Sequence, residues 1–350
     1  MMRLEGNAPA KINLTLEALG RREDGYHEIA SVMHTLSLCD TLILHLPDAP
    51  ALDAAQGQIS IGAHQPYPRS VEGETSHHTL PPTPWEGGAD ATIPADSRNL
   101  IWKAVEAFVR NCPHLQHLSH AVGEGSHYLS SHAPCERGTE DEGWRATLIK
   151  RVPAQAGLGG GSSDAATTLK LLAAWAAQWG IPLPDLHALA AHLGADVAFF
   201  LQGACARARG KGEILEPLPP LPPFWWVIAK PYGVGVPTGW AYAQLKRSAL
   251  EPDARAPHSE RLVDALKRRV IQTPRALAPL LHNDFDEPIL NNIPELRDLR
   301  QRMEHAGALR VLLCGSGAAQ AALCESQPHA ESLAHTLTQQ GYWAIATQAV

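Results

Sequence analysis

The residues best suited to chemistry form a glycine-rich stretch near the middle of the chain. Four glycines fall within five positions, and Ser162 and Ser163 follow them. Glycine adopts backbone conformations that a Cβ forbids, and it lets an anion approach backbone N–H groups closely. A phosphate group is therefore the expected ligand. The candidate phosphate-binding residues are Pro153, Ala154, Gln155, Ala156, Gly157, Leu158, Gly159, Gly160, Gly161, Ser162 and Ser163.

Three other interpretations of the glycine-rich stretch fit less well. A P-loop requires a Gly-Lys-Ser/Thr sequence, whereas this stretch has Gly161-Ser162-Ser163. A dinucleotide-binding fingerprint requires a third glycine where Ser162 stands, and it usually opens a chain rather than lying in its middle. A plain turn without a ligand leaves unexplained why so many glycines are closed by two hydroxyls at the start of a helix.

The segments on either side predict how the glycine-rich stretch is positioned. Residues 146–152 alternate in the manner of a strand that is ending. Residues 165–179 have helical periodicity, and Gly180 marks the end of that helix. Its predicted buried face consists of Leu169, Leu172, Ala176 and Trp179. A loop between a strand and a helix N-terminus directs N–H groups and the positive end of the helix dipole toward an anion.

Length and composition favour a protein of two domains. The chain has 350 residues, of which 45% are hydrophobic and 19% charged, so it can form ordinary cores. The proline-rich residues 217–223 are the preferred boundary, which divides the chain into domains 1–220 and 221–350. Strands and helices mix without strict alternation along the chain. We therefore expect the α+β fold class.

Composition also argues against several classes of protein. No apolar run approaches the length needed to cross a bilayer, and the first residues lack the apolar core of a signal peptide. Six scattered cysteines without a Cys-x-x-Cys pair fit reduced thiols, so we expect a cytoplasmic protein without a membrane partner. The net charge of −7 argues against a nucleic-acid partner. Phosphate binding must then rely on local dipoles and a few placed cations.

Two tracts interrupt the pattern of strands and helices. Residues 47–95 are rich in Pro, Gly, His and Ala with little periodicity, and residues 111–142 are similar. We interpret both tracts as long surface insertions or partly disordered loops. The second tract contains His114, His117, His120, His127 and His132. Their spacing fits no tight ligand set, and no carboxylate or cysteine pattern accompanies it, so a biased insertion explains them better than a metal site does.

Three motifs occur in the order that is typical of the GHMP kinases. They are residues 9–14 (Pro-Ala-Lys-Ile-Asn-Leu), the glycine-rich stretch, and residues 315–318 (Gly-Ser-Gly-Ala). Within that superfamily, residues 24–28 and 194–200 resemble the 4-diphosphocytidyl-2-C-methyl-D-erythritol kinases, and residues 203–213 and 283–285 extend the match. The resemblance implies a two-domain fold. Its N-terminal ATP-binding domain would be ribosomal-protein-S5-like, and its C-terminal domain ferredoxin-like.

The resemblance further implies ATP-dependent phosphorylation of the 2-hydroxyl group of 4-diphosphocytidyl-2-C-methyl-D-erythritol, in the non-mevalonate pathway of isoprenoid synthesis. Asp196 matches the general base of the family, and Lys11 matches its partner lysine. A carboxylate can accept the hydroxyl proton, and a nearby cation keeps that carboxylate ionised. Mg²⁺ is expected with the ATP, although no ligand set for it is evident in the sequence. The expected partner is this small molecule, and the expected state is a monomer or weak homodimer.

The same resemblance assigns residues to the two nucleotides. Tyr26 matches the first of two rings that stack on the cytosine, and His27 matches the residue that hydrogen-bonds the edge of that base. Tyr242 lies four residues after Thr238, where the second ring is expected. Asn13 and Thr238 match further contacts to the substrate. Positions near the ATP base are matched by Lys150, Asn99 and Leu100.

Three other functions stay open on the sequence. Another GHMP kinase would act on mevalonate, homoserine or a sugar, but those acceptors need no cytosine clamp such as Tyr26-His27. A non-catalytic nucleotide sensor of the same fold would not need to retain both Lys11 and Asp196. A metal-storage or interaction module built on the histidine tracts would bind metal independently of the glycine-rich stretch.

Overall fold

The computed structural model describes residues 1–50, 52–63, 93–112, 114–115, 143–251 and 254–350. These residues form two β-sheets with helices packed on them. The strands are β1 (Met2–Arg21), β2 (His27–Leu46), β3 (Gly57–Ala63), β4 (Trp144–Lys150), β5 (Cys205–Gly210), β6 (Ile214–Pro217), β7 (Trp225–Pro231), β8 (His282–Asn283), β9 (Arg310–Leu313), β10 (Gln320–Leu323) and β11 (Tyr342–Gln348). The α-helices are α1 (Leu100–Arg110), α2 (Gly160–Gln178), α3 (Leu186–Leu193), α4 (Ala195–Gln202), α5 (Thr238–Gln244), α6 (Pro257–Lys267), α7 (Pro274–Leu277), α8 (Asp286–Asn292), α9 (Pro294–His305) and α10 (Gln327–Gln339).

The first sheet is organised around β1 and β2, which are 20 residues each and pair in antiparallel fashion. Its order is β3-β4-β2-β1-β8, with β5 paired to another part of β2 and β6 paired to β5. Helices α1 to α4 cover one face, where a core forms around the large side chains of Phe108, Trp144, Trp175 and Phe199. The residues of β1 therefore lie between the layer of helices and a second layer on the other face of the sheet.

The second sheet has the order β11-β7-β10-β9, and all its pairings are antiparallel. Residues of α9 and α10, including Leu299 and Leu333, cover one of its faces. Its other face meets β1 and β2 in a shared core that includes Ile12, Leu36 and Trp226. Helices and mixed sheets in this arrangement confirm the α+β prediction. No helix of the described residues is both long and apolar enough to span a membrane.

Two predictions from the sequence are wrong in detail. Residues 57–63 form β3, inside the tract that we interpreted as an insertion from 47 to 95, because Ile59 is buried and the strand pairs in parallel with β4. Trp179 does not face the core, because α2 ends at Gln178 and Trp179 follows as its C-terminal cap, 38% exposed. Most of both tracts, with His117, His120, His127 and His132, lies outside the described residues.

The C-terminal part of the chain also contributes to the first sheet. Strand β8 pairs in parallel with β1 at Thr15 and Leu16, and α6 packs on β1 and β2. The hydroxyls of Thr15 and Ser259 are 2.9 Å apart across this contact. The domain boundary at residue 220 stays a prediction. Elements that follow this residue in the chain, such as β8 and α6, pack on strands that precede it.

Candidate active site

The glycine-rich stretch connects β4 to α2, as predicted. Gly157 and Gly159 have positive φ angles of 76° and 71°, and α2 begins directly after Gly159. Gly159 supplies no side-chain cap, so the first N–H groups of α2 are free to bind an anion. Residues 153–162 line a cavity of about 350 Å³ at this helix end. We call it the ATP cavity below, after the ligand that the sequence predicts for these residues.

The ATP cavity also contains Asn99, Leu100 and Lys150. The side chain of Asn99 is partly engaged, because its Oδ1 accepts the N–H of Ile101 at 2.9 Å and caps α1. Ser163 is the member of the predicted set that the structure does not place in this cavity. Its hydroxyl is fully buried beneath the loop and has no hydrogen-bond partner among the described residues.

A buried charge cluster lies under the loop, at the floor of the ATP cavity. The ammonium group of Lys150 contacts Asp40 and lies 3.1 Å from Asp164. Burial by itself would lower the pKa of Lys150, but the two carboxylates outweigh burial and raise it. Burial raises the pKa of Asp164 and outweighs the opposing charge of Lys150. Together with the neighbouring Asp40, burial brings this pKa to about 7. Asp40 also accepts the N–H of Val152 at 2.9 Å, so the cluster holds the start of the loop.

The turn of residues 315–318 packs directly on the glycine-rich stretch. A Cβ on Gly157 would lie 1.7 Å from the carbonyl oxygen of Cys314, which only glycine permits. The N–H of Ala319 donates to the carbonyl of Ala156 at 3.3 Å. Strand β1, which carries the first motif, also contacts the loop, because the N–H of Lys11 donates to it. The first and third motifs therefore both meet the glycine-rich stretch at one place.

Lys11 and Asp196 are brought together beside the loop. Nζ of Lys11 lies 3.9 Å from Oδ2 of Asp196, and it donates to Oδ1 of Asn13 at 2.7 Å. Asn13 donates in turn to Ser31 at 2.8 Å, which orients its amide. The N–H of Lys11 donates to the carbonyl of Leu158 at 2.9 Å, so the backbone of β1 is fixed relative to the loop. The lysine side chain is 6% exposed and that of Asp196 is 35% exposed, so the carboxylate faces open space.

A cavity of about 210 Å³ surrounds this pair, and we call it the catalytic cavity because the sequence predicts Lys11 and Asp196 as the catalytic residues. Asp196 enters it from the first turn of α4. The other residues of the site that line this cavity are Lys11, Asn13, Gly157, Gly159, Lys211, Thr238, Tyr242, Gly315 and Ser316. The cavity therefore adjoins both the glycine-rich stretch and a further cavity on the opposite side.

That further cavity measures about 700 Å³ and is called the nucleotide cavity below. Tyr26, His27, Thr238 and Tyr242 all line it. The rings of His27 and Tyr242 are 4.8 Å apart, and Tyr26 is 62% exposed. Burial, with a smaller contribution from Arg21, lowers the pKa of His27, so its neutral imidazole can both donate and accept. Burial and the charge of Asp196 raise the pKa of Tyr242 to about 12.

Comparison with known proteins identifies the family. The family model for the GHMP kinases N terminal domain matches residues 99–204, and the model for the GHMP kinases C terminal domain matches residues 262–342. The 4-diphosphocytidyl-2-C-methyl-D-erythritol kinase of Shouchella clausii is 32% identical over 317 residues, covering 90% of this chain and 84% of that protein. The kinase of the same name from Thermobifida fusca is 36% identical over 335 residues, covering 95% and 91%. This chain belongs to the 4-diphosphocytidyl-2-C-methyl-D-erythritol kinase family.

A solved structure agrees with this assignment. The crystal structure of a 4-(cytidine 5'-diphospho)-2C-methyl-D-erythritol kinase superposes with a TM-score of 0.65 at 31% identity, covering 99% of this chain and all of that one. The protein is therefore a small-molecule kinase of the GHMP type that uses ATP.

Several residues of this kinase site were missed by sequence reasoning. Arg21, Lys211, Lys246 and Arg247 bring four cations to the nucleotide cavity. Lys211 lies in a segment that carries the family resemblance, which was a usable signal, whereas the segment around Arg247 offered none. Asn283 was noted only as part of that resemblance, and the structure shows its contact. Its Nδ2 donates to the carbonyls of Leu313 and Gly315 at 2.9 and 2.8 Å, which anchors the glycine turn.

Proposed function

We propose that the protein transfers the γ-phosphoryl group of ATP to the 2-hydroxyl of 4-diphosphocytidyl-2-C-methyl-D-erythritol, in the non-mevalonate isoprenoid pathway. The observation that carries this proposal is the order of the three cavities. The catalytic cavity shares Gly157 and Gly159 with the ATP cavity, and it shares Thr238 and Tyr242 with the nucleotide cavity. A long acceptor with its base among the aromatic rings could thus present its far end to the γ-phosphate.

Asp196 is the proposed general base. In the transfer, the acceptor hydroxyl oxygen forms a bond to the γ-phosphorus while the bond to the bridging oxygen of ADP breaks. The hydroxyl proton passes to the carboxylate of Asp196, and ADP leaves with the bridging oxygen. Such transfers depend mainly on positioning and on electrostatic stabilisation, with charge spread over the phosphoryl oxygens.

Lys11 is the proposed electrostatic partner. Its ammonium group is almost completely buried, and Asn13 holds it beside Asp196. A cation at this distance attracts the carboxylate and so helps to orient it for the acceptor hydroxyl. The same ammonium can stabilise negative charge that develops on the phosphoryl oxygens in the transition state.

Mg²⁺ is the proposed companion of the ATP, because it neutralises phosphate oxygens during the transfer. The described part of the chain contains no group of three or more His, Cys, Asp or Glu side chains that could hold a metal ion alone. This fits Mg²⁺, which usually keeps several waters and binds through one or two carboxylates plus the phosphates of the substrate. Among the described residues, Asp164 lines the ATP cavity and Asp196 lines the catalytic cavity, so these are the carboxylates that would be in reach of the ion.

The proposal is tested by measuring ADP release with Mg-ATP and a panel of acceptors: the cytidyl methylerythritol compound, mevalonate, homoserine and galactose. We expect turnover with the cytidyl compound alone. Turnover with a different acceptor would retain the kinase and reject the substrate. ATP binding without turnover of any acceptor would instead indicate the nucleotide sensor.

Asp196→Asn tests the role of the base. A general base contributes about 10²–10⁴-fold to the rate, so we expect kcat to fall by that factor while the Tm is unchanged. Asp264→Asn is the matched control, because Asp264 is an exposed helical residue whose carboxylate pairs with Arg268. Near-normal turnover by a folded Asp196→Asn protein would show that another group accepts the proton.

A further inference from the structure

The nucleotide cavity concentrates positive charge in an acidic protein. Arg21, Lys211, Lys246 and Arg247 line it, and no Asp or Glu of the described residues does, although the chain carries a net charge of −7. Ionised phosphates need such local cations when the protein as a whole repels them. Lys211 is partly engaged already, because its ammonium lies 3.8 Å from Asp24 and above the ring of Tyr26.

The backbone places Arg247 at the rim of this cavity. The N–H of Arg21 donates to the carbonyl of Ser248 at 2.9 Å, and the N–H of Leu250 donates to the carbonyl of Arg21 at 2.9 Å. Gly20 makes this contact possible, since a Cβ there would lie 2.6 Å from the Cα of Leu250. The end of β1 therefore holds the segment that carries Arg247, next to Arg21.

Asp284 holds the guanidinium group of Arg247 from one side. Its Oδ2 accepts from NH2 of Arg247 at 2.6 Å and from the N–H of Ala18 at 2.9 Å, and its Oδ1 accepts from Nε2 of His282 at 2.8 Å. The carboxylate is 13% exposed, whereas the arginine side chain is 43% exposed. Burial would raise the pKa of Asp284, but the hydrogen bonds outweigh burial and lower it. The carboxylate is thus an anchored charge with an open arginine above it.

We propose that Arg247 binds the diphosphate of the acceptor and that Asp284 orients it for this contact. This inference rests on the proposed function, because it requires an acceptor that carries a nucleoside diphosphate. Within the described residues the ion pair uses one N–H of NH2, which leaves the second N–H of NH2, together with NH1 or Nε, as a fork for phosphate oxygens. A planar, anchored fork suits bidentate phosphate binding better than a mobile lysine such as Lys246.

The same proposal gives a role to residues 283–285, a segment that carries the family resemblance. Asn283 anchors the glycine turn beside the catalytic pair. Asp284 reaches Arg247, and the ring of Phe285 packs against Tyr242 with centroids 4.9 Å apart. One short segment therefore sets three features of the acceptor site. Asp284 is a positioning residue in this scheme, since it acts through the arginine.

The test compares Arg247→Ala, Asp284→Asn and the control Arg268→Ala, which removes an exposed arginine paired with Asp264. The dissociation constants of CDP and cytidine are measured for each protein, together with steady-state kinetics. In Arg247→Ala we expect the preference for CDP over cytidine to fall about tenfold, as for the loss of one charge-assisted contact. KM for the acceptor should rise by a similar factor, with kcat and KM for ATP unchanged. Asp284→Asn should change the same quantities in the same direction but less, and Arg268→Ala should change none.

An unchanged preference for CDP over cytidine in folded Arg247→Ala protein would overturn the proposal. A second overturning result would be a double variant whose loss of CDP affinity is the sum of the two single losses, because residues that act as one unit are not additive. The binding comparison needs no turnover. If the wild-type protein failed to phosphorylate the cytidyl compound, the proposed function would be wrong, while the role of Arg247 toward a diphosphate would still be decided.

Discussion

Replacement of Gly157 by alanine should push apart the glycine-rich stretch and the turn of residues 315–318. Gly157 has a φ angle of 76°, and its Cβ would lie 1.7 Å from the carbonyl oxygen and 2.6 Å from the carbonyl carbon of Cys314. Backbone atoms cannot rotate away as the end of a flexible side chain can. One of the two segments must therefore move.

The expected loss follows from two costs. A non-glycine residue in the left-handed region costs about 1–2 kcal/mol. Forced displacement in a well-packed region costs about 1–3 kcal/mol more. We therefore expect Gly157→Ala to lower the free energy of unfolding by about 2–5 kcal/mol, out of the roughly 5–15 kcal/mol of a typical protein. Because the loop must shift, KM for ATP should rise as well.

Urea unfolding followed by tryptophan fluorescence measures the change, and Gly161→Ala is the matched control. Gly161 lies in the first turn of α2, where, of the residues that the structure describes, a Cβ would meet only Leu100 at 3.7 Å. Alanine is favoured over glycine in a helix by roughly 0.5–1 kcal/mol, so this variant should be at least as stable as the wild type. Equal stability and equal KM for ATP in Gly157→Ala and wild-type proteins would refute the reasoning.

Two further predictions concern the charge cluster and the nucleotide cavity. The pKa of Asp164 is raised from 3.8 to about 7, so folding takes up a proton and this group lowers stability increasingly as the pH rises through that range. Asp164→Asn should therefore gain in unfolding free energy relative to the wild type as the pH rises from 3.8 to about 7, and equal pH slopes would contradict this. Tyr26→Ala should raise KM for the acceptor about tenfold, since base stacking contributes about 1–3 kcal/mol, without changing stability. Trp179→Ala, another exposed aromatic residue, should leave KM unchanged; a rise in both variants would argue against stacking.

The strand, loop and helix of the ATP site could be predicted because their information is local. Residue type and periodicity determine conformation within one continuous segment, and β4 and α2 occur where this reasoning places them. The helix begins at Gly160 rather than at residue 165, because the glycines of the motif form its first turn. Glycine has a low helix propensity, which hid that turn.

Contacts between distant parts of the chain gave no comparable signal. Asp40 pairs with Lys150 across 110 positions, and no pattern around Asp40 indicates a buried carboxylate. Arg21 meets residues 248–250, next to Arg247, through backbone pairing that periodicity does not encode. The association of Lys11 with Asp196 came from the family resemblance alone, since no spacing rule joins a strand residue to a helix that lies so much later.

Segments from both parts of the chain meet the edge of β1 that faces away from β2. The glycine-rich stretch meets this edge at Lys11, β8 meets it at Leu16, and residues 248–250 meet it at Arg21. Two of these three partners lie beyond the predicted boundary at residue 220. A chimeric protein that takes only the part after residue 220 from a relative would also receive new partners for this edge. If those partners failed to pair, the edge would be exposed, and an unpaired edge invites pairing with other chains. A functional chimera must therefore keep β1 and the segments that pair with it from the same relative, or from relatives in which these segments still pair.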